Sequence, residues 1–582
     1  MIWSLNNLYS SFLGPYEDDT KKYKALVFDL QKCSKLVCDD VTYINIYLLT
    51  FENISLLSSR LYAYPNLVLS TDVNNQEAQK ALAQIRQIDQ DTVKPYLRFI
   101  SKIKNMNIDL YSTQSLIIQK YSFLLKNMQH EAKHTMGNAM ELLYSKLIEV
   151  SSNSWSYLQD FSTANLCVDY LGEKITLSMV RNLAYDNNPS TRKDAYYAEM
   201  EAYKKIDSFV ALSINNIKRE ANIIAKLRKY KNPLSSALFT YKMQKETLDA
   251  LISSMRSYRS IFAKYLKTKA LYLKHKNGLP FYDLFAPVGL YEKTYTFKEA
   301  CDLVLSAFYS YSKKLGDFAK SYIDNKWIDV EPKQGKVGGA FCYPISGIKE
   351  SRILLNFTGS LSDCLTLAHE LGHGYHDFIM FNNDPLNIGC PSELAETASI
   401  FCETIVNNHL LKEIKDPMQR LSILESSVQD TTQVIIDILS RFIFENNLIN
   451  KGDTPLSVDE IKNLMIEAQK EAYLDGLDHN YLHPYMWLCK GHYYGVNSNY
   501  YNFPYAFGLL YGVGLYSTYL DNKESFLQRY DTMLALTAHA TAEEIALTMN
   551  IDITKKDFWL KSLKQIKSNI LEVIDLLKNI TL

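Results

Sequence analysis

Apolar residues recur at spacings of three and four through most long segments of this chain, as in 81–103, 206–227, 435–448 and 558–577. That period turns one face of an α-helix toward a core. Only 21 glycines and 15 prolines interrupt 582 residues, so few positions force a turn or forbid a helix. A mainly α fold is therefore expected, without tandem repeats or a linker long enough to separate independent parts.

One stretch departs from the helical habit. Residues 335–358, GKVGGAFCYPISGIKESRILLNFT, combine Gly, Pro and Ser turn signals with a short apolar, β-branched run. They predict a small antiparallel sheet ending in a strand over 353–357. Ser360 or Ser362 can then cap a helix beginning near Asp363. A strand in this position is also an edge along which an extended peptide could lie.

Charge and cysteine usage exclude several classes. Lysine plus arginine (63) nearly equals aspartate plus glutamate (64), which gives no electrostatic reason to expect nucleic acid or an anionic membrane as partner. The basic stretch Lys264 to Lys276 reads as the solvated face of a helix. Nine cysteines, odd in number and never spaced C-x-x-C, argue against a disulfide framework and for a reducing compartment. The first residues lack the pattern of a secretory signal, and no apolar run approaches the roughly 18 residues of a membrane span. A cytoplasmic protein is expected.

The predicted helix after the sheet carries His369-Glu370-Leu371-Gly372-His373, an H-E-x-x-H pattern. Residues four apart on a helix share a face, so both imidazoles can reach one ion. Neutral imidazole suits zinc, whose filled d-shell imposes no geometry. Glu370 is turned about 100° around the helix from His369, placed to take a proton from an attacking water without ligating. The surrounding Leu365, Leu367, Ala368 and Leu371 make a fully solvated histidine pair a poor alternative, because buried polar side chains need partners.

A catalytic zinc site needs a third protein ligand and one open position. In the helical segment 392–403, Glu393, Glu396 and Glu403 fall on one face. Spacing alone leaves Glu393 and Glu396 both open as ligand, and the other carboxylates can hold the ligating imidazoles through hydrogen bonds. Farther on, Gly491-His492-Tyr493-Tyr494 and Tyr500-Tyr501-Asn502-Phe503-Pro504-Tyr505 bring together donors of the kind that stabilise an oxyanion. Aromatic clusters in a chain with 42 tyrosines also arise from packing alone.

HELGHGYH (369–376), the E-x-A-S-x-F-x-E pattern (396–403), GGAFC (338–342), RILLNFTGS (352–360) and HYY…YYNFPYAFG (492–508) together resemble the oligoendopeptidase F family, relatives of thimet oligopeptidase. Weaker echoes are WSLNNLY (3–9) and YDLFAP (282–287), so the resemblance spans nearly the whole chain. It implies one Zn²⁺ per chain on His369, His373 and Glu396, which selects Glu396 over Glu393. It also implies Glu403 as a carboxylate behind the ligands and Glu370 as general base. His492 and Tyr505 are implied as substrate and oxyanion donors, with Tyr501 and Tyr494 as alternatives to Tyr505.

The implied fold is a large helical two-lobed peptidase enclosing a deep channel, with a small β-sheet beside the zinc-binding helix. Its parts would be an N-terminal helical region over 1–190 and a catalytic region over 191–582. The implied activity is endopeptidase cleavage of short unfolded peptides. A zinc carboxypeptidase of related fold and a non-catalytic metal-binding scaffold are the competing readings.

Overall fold

The computed structural model describes residues 1–289, 293–495 and 497–581. Helices dominate, as the periodicity predicts, and the longest, Asp40–Thr71, runs for 32 residues. Many start on short polar side chains that accept the orphaned first-turn N–H groups, among them Asp39, Asn75 and Ser457. No helix among the described residues is long and apolar enough to cross a membrane.

Two compact units each draw on three stretches of sequence. The first comprises Met1–Asn138, Lys293–Leu410 and Thr518–Asn550, the second Ala139–Glu292, Leu411–Ser517 and Ile551–Leu582. The boundary expected near residue 190 thus falls inside the second unit.

In the first unit, Trp3, Leu8 and Tyr9 join a core built from helices Pro15–Cys33, Asp40–Thr71 and Gln76–Ile103, together with Ile345 and Leu354. The N-terminal segment is tied down by Arg352, which is fully buried. Its Nε donates to Ser4 O at 3.2 Å and its Nη2 to Asn7 Oδ1 at 2.8 Å, while the guanidinium stacks 4.8 Å from the Trp327 ring. The two motifs WSLNNLY and RILLNFTGS are therefore halves of one contact.

Arg352 belongs to a three-stranded sheet of β1 (Ile328–Asp329), β2 (Phe341–Ile345) and β3 (Glu350–Leu354), in the order β1-β3-β2. β2 and β3 pair antiparallel with Phe341 opposite Leu354 and Ile345 opposite Glu350, whereas β1 runs parallel to β3. Two expectations need correction here. The sheet is mixed, and its strand over 350–354 is central. Beyond it Leu355 N and Phe357 N still donate to Asp329 O and Val330 O, at 2.8 and 2.9 Å. The segment 353–357 is thus occupied by neighbours, and the strand at the edge beside it is β2.

Helix α1 (Leu361–Met380) packs against β2 and β3. Of the two candidate caps it uses Ser360, whose side chain accepts from Asp363 N while Asp363 Oδ2 receives Ser360 N–H at 3.0 Å, a reciprocal box. Helix α2 (Ser392–Glu413) follows.

In the second unit, helices Lys245–Tyr272 and Lys556–Thr581 pack along each other. Buried ion pairs recur there: Arg192 Nε with Asp283 at 2.7 Å, Lys218 with Glu445 at 2.7 Å and Lys269 with Glu425 at 2.6 Å. Asp283 is the acid of the YDLFAP echo. Lys264, Lys267, Lys274 and Lys276 are exposed as expected of a solvated face, but Lys269 is not. The same unit holds α3 (Ile438–Asn450), entered through a π-helical turn at Gln433–Asp437.

Candidate metal centre

His369 and His373 stand one turn apart on α1, with ring centroids 4.9 Å apart. Helix α2 brings Glu396 to both: its Oε2 lies 3.1 Å from His369 Nε2 and 3.5 Å from His373 Nε2. These three are the one group of His, Cys, Asp and Glu donors among the described residues arranged closely enough to share an ion. Ligand atoms about 2.0–2.1 Å from a tetrahedral zinc stand roughly 3.3–3.4 Å apart, so the observed separations bracket the required spacing. The side chains of His369, His373 and Glu396 are 26%, 23% and 28% exposed, so the cluster is reachable from solvent.

The electrostatics agree with a cation site. Burial disfavours charge on the His369 ring, yet hydrogen bonds to Glu396 and Glu403 outweigh it and push its pKa up to about 10. Glu396 is also disfavoured by burial, but the two imidazoles hold its carboxyl far below the usual range. Two carboxylates, Glu396 and Glu403, gathered on this imidazole pair supply negative potential of the kind that a divalent cation answers. Glu403 Oε2 lies 3.3 Å from His369 Nδ1, the position of a carboxylate that fixes the ring while the other nitrogen ligates. Glu393 is fully buried and stands outside the converging donors.

Glu370 is 5% exposed, and its Oε2 has no hydrogen-bond partner. Burial raises its pKa, and the positive potential of His373 and His369 opposes that rise. A buried carboxylate oxygen left without a partner beside a donor cluster is costly unless something occupies the site. Two imidazoles and one carboxylate, converging beside that buried acid, are a donor set that fits a zinc ion.

What brings α2 close enough is Gly372. A Cβ there would lie 2.6 Å from both Ala398 O and Ser399 Cα, so only glycine permits this helix contact. Ser399 also donates to Glu396 Oε2 at 2.8 Å, orienting the third ligand. Sequence reasoning passed over these roles, although the small pair Ala398-Ser399 after Glu396 was the available signal.

In the second unit, His492, Tyr501 and Tyr505 pack as a triangle of half-buried rings. Centroids are 5.5 Å apart for His492–Tyr501, and 5.8 Å for both His492–Tyr505 and Tyr501–Tyr505. Tyr494 does not join them: it is 1% exposed and its hydroxyl donates to Trp487 O at 3.1 Å. It is removed as an alternative to Tyr505, since its polar atom is already committed inside the core. Behind the triangle, Tyr500 takes φ 59°, a left-handed conformation uncommon for a bulky residue. Its N–H donates to Glu445 Oε1 at 3.0 Å, and Asn499 Oδ1 accepts from Lys218 at 3.0 Å. The buried Lys218–Glu445 pair thus clamps the loop that precedes Tyr501.

The profile of peptidase family M3 matches residues 182–565. Oligopeptidase PepF of Bacillus subtilis is 23% identical, covering 99% of this chain and 87% of its own length. An oligoendopeptidase F homolog of Lactococcus lactis is 22% identical over 87% of this chain and 85% of its own. Among solved structures, oligoendopeptidase-F from Enterococcus faecium superposes with a TM-score of 0.73 at 16% identity, covering 97% of this chain and 99% of that one. The structure of a candidate peptidase from Chlamydophila abortus superposes with a TM-score of 0.82 at 22% identity, covering 99% and 98%. At these identities the structural likeness carries the fold.

Proposed function

Because the chain belongs to peptidase family M3, we propose that it is a zinc-dependent endopeptidase that hydrolyses internal bonds of short, unfolded oligopeptides. One observation supports this above the others: the donors of His369, His373 and Glu396 converge beside the unpartnered buried oxygen of Glu370.

In this reading His369, His373 and Glu396 hold one zinc, and Glu403 steadies the first of them. The ion, when bound, supplies Lewis acidity that polarises a carbonyl and acidifies water. Glu370 takes a proton from the attacking water and hands it to the leaving amine. The buried setting serves that task, since a base walled off from bulk solvent keeps the proton it has taken until the amine departs. His492, Tyr505 and Tyr501 are the proposed substrate-binding and oxyanion residues, supported by the family resemblance and by their mutual packing. The outer edge of β2, rather than the segment 353–357, is the strand proposed to align an extended peptide by main-chain hydrogen bonds. Nine cysteines, odd in number and never spaced C-x-x-C, support placing the protein in a reducing compartment such as the cytoplasm.

The test is hydrolysis of a quenched fluorescent peptide blocked at both ends, with and without a chelator. Cleavage that stops on chelation and returns with zinc is expected. A requirement for a free carboxylate would replace this reading with the carboxypeptidase one. Glu370→Gln should retain zinc while turnover falls by about 10²–10⁴, and near-normal turnover would remove Glu370 from the role of base.

A further inference from the structure

Asn502 is 1% exposed, and its Oδ1 faces two groups at once. Arg441 Nη1 lies 3.3 Å away and His492 Nδ1 lies 3.2 Å away. A guanidinium only donates, so the amide atom it meets is the oxygen and not the nitrogen. That settles the orientation of an amide whose two ends otherwise look alike. An amide oxygen has no proton to give, so the nitrogen of His492 facing it carries the hydrogen. The orientation is retained although it leaves Asn502 Nδ2 buried without a partner.

Arg441 is itself held in place. Its Nη2 pairs with Asp437 Oδ2 at 2.6 Å, with side-chain exposures of 11% and 4%. Asp437 ends the π-helical turn Gln433–Asp437 that leads into α3. Such turns are rare and concentrate at functional sites. A neutral imidazole protonated at Nδ1 has a lone pair at Nε2. Burial of His492, and next to it the charge of Arg441, keep the ring from taking a second proton at neutral pH.

We propose that Asp437, Arg441 and Asn502 form a positioning chain that fixes His492 as its Nδ1–H tautomer. Its Nε2 then accepts a hydrogen bond from a backbone N–H of the peptide substrate. The second half of this inference rests on the peptidase reading above. It reassigns His492 within that reading: a neutral ring of this tautomer cannot donate to an oxyanion, so that task falls to the hydroxyls of Tyr501 and Tyr505. Asp437, Arg441 and Asn502 act through His492 and are positioning residues.

Two measurements test it separately. The first is the ¹⁵N spectrum of the full-length, zinc-loaded protein labelled at histidine, with His492 assigned by its absence in His492→Gln. An Nδ1–H pattern is expected in the native protein and in Asn502→Asp, which keeps an acceptor for both donors. A mixed pattern is expected in Asn502→Leu. An Nε2–H pattern in the native protein overturns the positioning chain, and it does so without any need for activity.

The second measurement uses a cleavable peptide and a set of analogues, each with one backbone N–H replaced by an ester oxygen. The native enzyme should lose about ten-fold in kcat/KM at one position near the cut, the effect of a single hydrogen bond. His492→Phe should abolish that discrimination at that position alone. If His492→Phe discriminates as the native enzyme does at every position, the acceptor role is overturned. Cleavage of no peptide at all, with the Nδ1–H pattern present, overturns the peptidase reading while leaving the positioning chain intact.

Discussion

Replacing Gly372 by alanine tests how the proposed metal centre is assembled. The added carbon would sit 2.6 Å from Ala398 O and Ser399 Cα, where ordinary contact begins at 3.4 Å. Both obstructing atoms are helix backbone, so α2 must retreat by about 0.8 Å to reach ordinary separation. Glu396 Oε2 now stands 3.1 and 3.5 Å from the two imidazole nitrogens. The same retreat would carry it to about 4 Å, beyond the roughly 3.3–3.4 Å that two ligands of a tetrahedral zinc can span. Overpacking of this kind costs about 1–3 kcal/mol of stability. Loosening the third ligand should weaken zinc by at least the 10–100-fold seen when a supporting partner is lost. Zinc affinity by competition with a chelator, beside a thermal melt, reads both effects. A Gly372→Ala protein that binds zinc as tightly as the native one would refute the argument that this helix contact sets the ligand spacing. An unchanged melt with weakened zinc would show instead that α2 yields without strain.

Three other perturbations give separable outcomes. Glu403→Gln should weaken zinc by about 10–100-fold with little effect on fold, measured by the same competition, and unchanged affinity would show that Glu403 does not restrain His369. Lys218→Met strands the buried Glu445 charge and should cost about 3–5 kcal/mol in denaturant unfolding; a loss below about 1 kcal/mol would mean that the pair is solvated. Glu199 is opposed by burial, but His483, Arg181 and Tyr203 bring its pKa from 4.5 down to about 2. Its stabilisation is therefore whole above pH 4.5 and is lost as pH falls toward 2, an effect on the order of 3 kcal/mol. Denaturant unfolding at pH 6 and pH 3 should show about 2 kcal/mol of that loss in the native protein and much less of it in Glu199→Gln.

How much of this was legible in the sequence follows from the range of each interaction. His369 and His373 could be paired from spacing alone because four residues make about one helical turn, and the Ser360 cap could be anticipated from local chemistry. Glu396 is different. Its approach depends on α2 crossing α1 where Gly372 meets Ala398 and Ser399, a tertiary contact that no period encodes, so residue spacing left Glu393 and Glu396 unresolved. The mixed sheet was missed because β1 is only two residues long and joins from outside the turn-rich stretch. The hydrogen bonds of Arg441 and His492 to one Asn502 oxygen link residues up to 61 apart, and Tyr494 was excluded only when its hydroxyl was found on Trp487 O.

These two groups of residues depend on different physics. The proposed ligands are partly exposed side chains on regular helices, and what sets their spacing is volume: a missing Cβ at Gly372 and the small residues opposite it. The His492 cluster depends on charge, through Arg441 with Asp437 and Lys218 with Glu445, and on a backbone held at φ 59° at Tyr500. A one-carbon change should therefore disturb the first group while leaving the second unit's stability intact. Loss of a buried charge should do the reverse, since a charge stripped of its partner destabilises the structure that surrounds it. Gly372→Ala and Lys218→Met distinguish the two within one set of assays. The first should lose zinc before it loses folding. The second should lose folding stability, measured in denaturant, at zinc affinities close to native. If both variants lost zinc and stability in the same proportion, volume and charge would not divide the two groups of residues in this way.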